Sequence, residues 1–295
     1  MKQILVLSGK GGTGKTTIAS ALIKLSQSKA YADCDVDAPN LHLVTNQTNE
    51  PIISDYYGLK KAYINSEECM QCGLCAQYCK FDAIKREKIY LIDCYDCEGC
   101  GVCERICPVG AISMKDAKAG ELMLYKNDAI FSTAELKMGS GTSGMLVSRV
   151  KSQMKNALKG DEEIIIIDGS PGIGCPVIAS ISGVDLVLIV AEPSISGISD
   201  MERIIKTARG FEVEIVVCIN KYDVNQENTD RIIDYCKREN LDYLGAIPFD
   251  KRAIELVNQG KSIVDIDCNA GKAINLIYTK LLPLIKDAGV VKNES

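Results

Sequence analysis

Residues Leu7 to Thr17 read L-S-G-K-G-G-T-G-K-T-T and close an apolar run that begins at Ile4. No other stretch restricts the fold so tightly. Gly9, Gly14, Lys15 and Thr16 satisfy G-x-x-x-x-G-K-[ST], the loop that carries a strand into a helix around a bound phosphate. The residue types follow from the chemistry. Glycines let successive backbone N–H groups converge on an anion at a helix N-terminus, where the peptide dipoles already favour negative charge. On this pattern Gly9, Lys10, Gly11, Gly12, Thr13, Gly14, Lys15, Thr16 and Thr17 form the cradle. Lys15 neutralises the β- and γ-phosphates and Thr16 ligates Mg²⁺. A plain glycine-rich turn is the weaker reading, because strand, loop and helix follow one another in the required order. The expected ligand is ATP or GTP.

Lys10 puts a second cation inside the loop, which an ordinary phosphate loop does not need. K-G-G-T-G-K-T-T resembles the deviant loop of the MinD/ParA family of ATPases, to which the nitrogenase iron protein belongs. That resemblance implies a homodimer with ATP sandwiched between subunits, Lys10 reaching the phosphates held by the partner subunit. Otherwise Lys10 is a solvated surface lysine.

A chain of 295 residues can form one large domain or two smaller ones, and its apolar content suffices for a sizeable core. The net charge of −5 and the lack of a long basic run argue against nonspecific nucleic-acid binding, which needs clustered Lys and Arg. No stretch has the length of a spanning helix, and the N-terminus enters a strand directly, so the expected location is the cytoplasm.

Cysteine is the outlier: of fourteen, nine lie between Cys69 and Cys107. Clustered thiols in a chain with no secretion signal read as metal ligands rather than disulfides. Residues from about Ala62 to Ala119 contain a repeat offset by 28: Cys69, Cys72, Cys75 and Cys79 recur as Cys97, Cys100, Cys103 and Cys107. Gly73, Ala83 and Ile84 likewise recur as Gly101, Ala111 and Ile112. Each copy reads C-x₂-C-x₂-C-x₃-C, the run of bacterial ferredoxins, in which the fourth cysteine ligates the cluster of the other copy. Cluster one then takes Cys69, Cys72, Cys75 and Cys107; cluster two takes Cys97, Cys100, Cys103 and Cys79. Both are expected to be [4Fe–4S]. Zinc is the rival metal, but zinc ribbons offer paired rather than tripled thiols. Two departures stand out. Lys80 follows Cys79 where the pattern has proline, and Cys94 leaves a shifted register open, although only the Cys97 register ends in C-x₃-C-P. Cys34, Cys175, Cys218, Cys236 and Cys268 are scattered and read by default as small buried apolar side chains.

The remainder alternates as a parallel α/β fold does. A helical pattern runs from Thr17 to Leu25, and Lys29–Cys34 is the natural second strand. Asp33, Asp35 and Asp37 follow its end, where ligands of open α/β sheets bind. By the family resemblance, Asp33 orients the attacking water and Asp37 stands behind a water of Mg²⁺; Asp35 is merely solvated. The single histidine, His42, reads as structural. Strands are expected at Leu122–Tyr125, Ala129–Ala134, Glu163–Asp168, Leu186–Ala191, Ile215–Ile219 and Tyr243–Ile247. G-S-G-T-S-G at Gly139–Gly144 is too generic for a second phosphate site and reads as a flexible start to a helix ending at Ala157. Asp168 ends a fully buried strand, the context of the acid that holds a water of Mg²⁺. The following G-S-P-G-I-G-C-P-V resembles the family's second switch, with Gly172 free to swing toward a γ-phosphate and Cys175 a structural or redox-coupling thiol, or an interfacial cluster ligand. Asn220 in I-N-K-Y-D is placed like the family's adenine-reading asparagine, and I-P-F-D, with Pro248, supplies the loop over the base. N-K-x-D also occurs in GTPases, so the preference for ATP rests on the resemblance. A last helical pattern runs from Ile274 to Ala288, interrupted by Pro283. It lacks the clustered Lys and Arg of a membrane-binding terminal helix, and no stable membrane association is expected.

The expected architecture is α/β: a mostly parallel P-loop sheet flanked by helices, formed by residues 1–61 and 120–295, with a small α+β ferredoxin-like domain inserted at 62–119. The expected function is ATP-gated electron transfer to a redox partner protein. Assembly or transfer of iron–sulfur clusters, as in Mrp-type ATPases, and a redox-sensing regulatory switch are the alternatives. Because the insert follows the first switch, movement of Asp33 to Asp37 is expected to reach the clusters directly.

Overall fold

Strand β1 (Lys2–Leu7) sets the architecture, since Ile4 and Val6 enter one layer of core and Leu5 and Leu7 the other. A strand apolar on both faces must be covered by helices on both sides. In a computed structural model, which describes residues 1–45, 47, 49–160 and 163–287, that is how the chain folds. β1 leads into α1 (Lys15–Ser26), β2 (Ala30–Asp33) and β3 (Ile52–Tyr57). A smaller unit follows, made of β4 (Lys61–Ile64), α2 (Leu74–Tyr78), β5 (Ile84–Arg86), β6 (Tyr90–Ile92), α3 (Val102–Ile106) and β7 (Ile112–Lys115). The chain then returns through β8 (Lys118–Lys126), β9 (Ile130–Leu136), α4 (Ser143–Ala157), β10 (Ile164–Asp168), α5 (Cys175–Ile181) and β11 (Leu186–Ala191). It continues with α6 (Ile195–Arg209), β12 (Glu214–Asn220), α7 (Gln226–Arg238), β13 (Asp242–Ile247), α8 (Arg252–Asn258) and α9 (Asn269–Asp287).

The large sheet has the order β13-β12-β11-β1-β10-β2-β9-β8-β3. Every pair from β13 to β9 is parallel; β8 runs antiparallel to both of its neighbours. This is the α/β fold expected from the sequence, with one element unforeseen. β3 carries no buried apolar run to announce it: Ile52, Ile53 and Tyr57 are exposed on the sheet edge, and only Tyr56 is buried. The smaller unit grows from the end of the β3–β8 pair. There β4 pairs with β7 and β5 with β6, both antiparallel, over a core that includes Ala62, Cys75, Ala83, Ile84, Cys97 and Ile112. The sequence repeat is also a structural one: Gly73 and Gly101 have left-handed backbone at the starts of α2 and α3.

α4, α5, α6 and α7 cover one face of the sheet, and α1, α8 and α9 the other. Cys34, Cys218, Cys236 and Cys268 are buried as expected, whereas Cys175 is exposed; all fourteen thiols are free. α9 starts earlier than Ile274 and continues through Pro283. Ala288, its expected end, lies outside the described residues with the polar tail. Among the described residues no helix is long and apolar enough to cross a membrane.

One buried cation ties α4 to α5. Lys151 Nζ donates to the carbonyl oxygens of Ala179 (3.3 Å), Ser180 (2.6 Å) and Ser182 (2.6 Å). These lie at the C-terminal end of α5, where carbonyls lack helical N–H partners. Burial pulls the ammonium down to about 8 from its ordinary 10.5. The folded chain therefore releases this proton before the unfolded chain does, and stability rises with pH across that interval. Lys151→Met should abolish the rise: in urea unfolding from pH 7 to 10.5, the parent is expected to gain about 3 kcal/mol relative to the variant. Parallel pH profiles for the two chains would contradict this.

Candidate functional site

Residues 8–14 connect β1 to α1. Gly14 has φ +91° at the helix start, a conformation that a side chain would strain. A Cβ at Gly9 would collide with Asp200 on α6, so glycine there lets α6 pack against the loop. The loop is braced from within and without. Ser8 Oγ and Thr13 Oγ1 donate to the Lys10 carbonyl at 3.0 and 3.3 Å. Asn220 Nδ2 donates to the Thr13 carbonyl at 2.6 Å, and Lys221 Nζ to the Gly12 carbonyl at 2.8 Å. Asn220 thus holds the phosphate loop as well as standing at the cavity wall.

A cavity of about 690 Å³ opens over this loop. Lys10, Gly11, Gly12, Thr13, Gly14, Lys15, Thr16 and Thr17 line one end, with Asp35, Asp37, Asn220 and Pro248. Lys15 Nζ donates to Asp168 Oδ1 at 2.5 Å, and Thr16 Oγ1 to Asp168 Oδ2 at 2.6 Å. The parallel register that sets Val6 beside Asp168 delivers this carboxylate to the loop. Burial works against the Lys15 charge, but Asp168, Asp33 and Asp35 outweigh it and hold its pKa above the ordinary value.

The acids at and beyond the end of β2 differ in their surroundings. Asp33 is fully buried, and its carboxylate accepts three backbone N–H groups: Asp35 (3.0 Å), Asn40 (2.9 Å) and Leu41 (2.9 Å). Burial, followed by the charge of Asp168, pushes it up to about 7. It shapes the turn and does not line the cavity. Asp35, read from the sequence as merely solvated, does line it; burial pushes its carboxyl up to about 6. Asp37 is exposed at the same wall. His42 sits half-buried in a 3₁₀ turn, Leu41–Leu43.

Lys10 is held within its own chain. Its Nζ lies 2.7 Å from Glu192 Oε2 and 3.2 Å from Ser194 Oγ, while Lys221 Nζ lies 3.1 Å from Glu192 Oε1. Burial pushes Glu192 upward, but the two lysines more than offset it and leave the carboxyl below its usual range. Sequence reasoning missed Glu192, although it carries the same sign as Asp168: a carboxylate directly at the end of a buried strand.

The rest of the lining is more apolar, with Ile247, Phe249, Ala253, Ile263, Ala270 and Ile274. Asp223, the acid of N-K-Y-D, accepts the backbone N–H of Phe249 at 2.8 Å. One of its oxygens is therefore spent on fixing the loop over this end.

Two smaller cavities lie in the unit between β4 and β7. Cys69, Cys72, Cys75 and Cys107 line one, with Gly73, Tyr90 and Pro108. Cys79, Cys97, Cys100 and Cys103 line the other, with Ala62, Gly99 and Met114. In each, three thiols of one run meet the last thiol of the other. Among the described residues, no three Cys, His, Asp or Glu side chains are placed to hold a single ion. Cys94 is exposed and outside both linings.

The sequence pattern of the CobQ/CobB/MinD/ParA nucleotide binding domain matches residues 4–263. An uncharacterised protein of Methanocaldococcus jannaschii is 35% identical over 288 residues, covering 96% of this chain and 97% of that protein. The iron–sulfur cluster carrier protein of Pyrococcus abyssi is 26% identical over 305 residues, covering 97% and 87%. The solved structure of the septum site-determining protein MinD with Mg-ADP from Pyrococcus horikoshii has a TM-score of 0.58 at 18% identity, covering 98% of this chain and 99% of that one. At that identity the likeness is one of fold.

Removing Lys15 leaves the buried Asp168 without its cation. Lys15→Ala is expected to cost the nucleotide-free chain about 3–5 kcal/mol, and Mg-ATP should raise the melting temperature of the parent only. Equal thermal shifts in both chains would show that Lys15 does not hold the ligand.

Proposed function

This chain belongs to the CobQ/CobB/MinD/ParA nucleotide-binding family, and on that premise we propose that it is a dimeric ATPase whose nucleotide state is coupled to electron transfer by two [4Fe–4S] clusters in an inserted domain at 62–119. The observation that carries the reading is the pair of four-thiol cavities, one for each crossed set of the repeat, in the same chain as the nucleotide cavity. Thiolates are the donors such clusters take. A single zinc ion would need its ligands drawn in around one point, which these side chains are not.

At the nucleotide site the residues divide the work. Gly9 to Thr17 wrap the phosphates, and Lys15 turns from Asp168 to the β- and γ-oxygens. Thr16 and Asp168 hold Mg²⁺, with Asp37 behind a water; the ion, when bound, neutralises charge developing on the phosphates. Asp35, the half-buried acid that reaches the cavity, orients the attacking water in place of Asp33. Asn220 and Pro248 flank the base. With Asp223 engaged by Phe249, adenine is favoured over guanine. For Lys10 to reach a partner's phosphates it must leave Glu192. Dimerisation and release of that ion pair are then one event.

In the insert, Cys69, Cys72, Cys75 and Cys107 hold cluster one, and Cys97, Cys100, Cys103 and Cys79 hold cluster two. Each cluster, when bound, supplies a one-electron couple. Gly73 and Gly101 start the helices that carry the third thiol of each run, Cys75 and Cys103. The electrons go to a redox protein partner; nucleic acid and membrane have no part.

A second reading, iron–sulfur cluster carriage, draws on the Pyrococcus relative of that name and on the exposed Cys175, next in sequence to Pro176 of the nucleotide cavity. The two readings separate on whether iron leaves the chain.

Cys79→Ser and Cys97→Ser should perturb the same EPR signal of the reduced protein, and Cys107→Ser the other. If Cys79→Ser and Cys75→Ser altered one signal together, the crossed assignment would be wrong. Lys10→Ala should abolish the ATP-induced dimer in sedimentation while retaining nucleotide. ATP-dependent passage of radiolabelled iron to an apo-acceptor would favour carriage over electron transfer.

A further inference from the structure

The segment 136–144 contains the glycine run that the nucleotide and cluster chemistry leave unused, and it touches almost every element that the proposed coupling needs. At its start, Leu136 N donates to the Val36 carbonyl at 2.9 Å, between Asp35 and Asp37. Lys137 N donates to the Ala119 carbonyl at 2.8 Å, where the chain leaves the insert. A Cβ on Gly139 would stand 3.3 Å from the Tyr95 ring, and one on Gly141 would stand 3.9 Å from Glu98 Oε2. Tyr95 and Glu98 flank Cys97. Thr142, with left-handed backbone at the start of α4, accepts the Tyr56 hydroxyl on its Oγ1 at 3.2 Å. Gly144 packs on Cys175: a Cβ there would stand 3.1 Å from the Cys175 carbonyl oxygen. Lys151 then ties the body of α4 to the far end of α5.

From these contacts we infer that segment 136–144 is the element coupling the nucleotide loops to the insert, and that it acts on the cluster-two loop, residues 94–101, in preference to the cluster-one loop, residues 69–75. This rests on the nucleotide and cluster reading above. The insert is reached from both loops that flank the nucleotide cavity, through Val36 and through Cys175. Its cluster-two loop also receives Lys61 Nζ on the Cys97 carbonyl, and Gly99 fits against the Lys60 carbonyl at the entry to the insert. The cluster-one loop turns inward instead, with Gly73 against Tyr90 of the same unit. Thr142 holds left-handed backbone, which a non-glycine residue keeps only where its surroundings fix it, so this end of the segment is conformationally specific rather than a loose tether. A packed element with discrete arrangements transmits a shift where a flexible one absorbs it. Tyr95 is the contact residue at the cluster-two end; it is 74% exposed, so its loss removes that contact without emptying a core.

Hydrogen exchange on the cluster-loaded full chain, with and without a nonhydrolysable ATP analogue and Mg²⁺, tests this directly. Protection of residues 9–17 reports nucleotide binding, and the EPR signals report the clusters. The expected result is several-fold slower exchange at 136–144 and 94–101, with 69–75 unchanged. Tyr95→Ala should keep protection at 9–17 and 136–144, keep both EPR signals, and lose it at 94–101. Protection at 9–17 with none at 94–101, equal protection of both cluster loops, or an unaltered response in Tyr95→Ala would each overturn the coupling role while leaving the nucleotide reading intact. No protection at 9–17 would overturn that reading and this inference together.

Discussion

Everything in this fold is arranged around one carboxylate. Asp168 is fully buried and takes Lys15 on one oxygen and Thr16 on the other. A buried charge is tolerated only where it is paired and hydrogen-bonded. β1 and β10 must therefore be parallel neighbours in the register that sets Val6 beside Asp168, with the loop folding back over their ends. Two helix-covered faces keep the strands dry. The Lys15–Asp168 pair is also the one that phosphate and Mg²⁺ would take apart, so affinity for ligand includes the loss of this contact.

Glu192 repeats the device one strand away. It holds Lys10 and Lys221 as Asp168 holds Lys15, and Lys221 reaches the Gly12 carbonyl. The phosphate loop is thus clasped by carboxylates at the ends of β10 and β11, either side of β1. In the proposed dimer one of these clasps must open for Lys10 to leave its own chain. The other end of the molecule is governed by different physics. The insert has few large apolar side chains in its core, and in each set three of the four cysteines are exposed or only half-buried, Cys75 and Cys97 alone being buried. On the proposed reading, a unit of that size would gain stability from the clusters its thiols hold.

Strong local signals made most of this legible in the sequence. The run from Ile4 to Thr17 specifies strand, loop and helix because each step is chemically restricted, and Glu163–Asp168 and Leu186–Ala191 are apolar enough to be read as buried strands. The spacing of the thiols foretold the crossed linings of two cavities. β3 escaped notice because an edge strand with one buried side chain has neither alternation nor an apolar run. The different surroundings of Asp33 and Asp35 were hidden for a similar reason: three alternating acids look alike until the turn at Asn40 and Leu41 claims the first. The weight of Gly139–Gly144 was also invisible, since its significance lies in contacts to residues distant in sequence. The contacts from Leu136 to Val36 and from Lys137 to Ala119 join residues separated in sequence, the first pair by the whole insert, which no local pattern announces.

If nucleotide and cluster states are thermodynamically linked, the linkage acts equally in both directions. Anaerobic redox titration monitored by EPR, with no nucleotide, with ADP and with a nonhydrolysable ATP analogue, measures it most directly. A displacement of about 60 mV in a one-electron potential corresponds to a tenfold change in equilibrium. The expected result is a nucleotide-dependent shift of tens of millivolts, on the order of that value, in the cluster assigned to Cys79, Cys97, Cys100 and Cys103. Potentials identical in all three nucleotide states would contradict it.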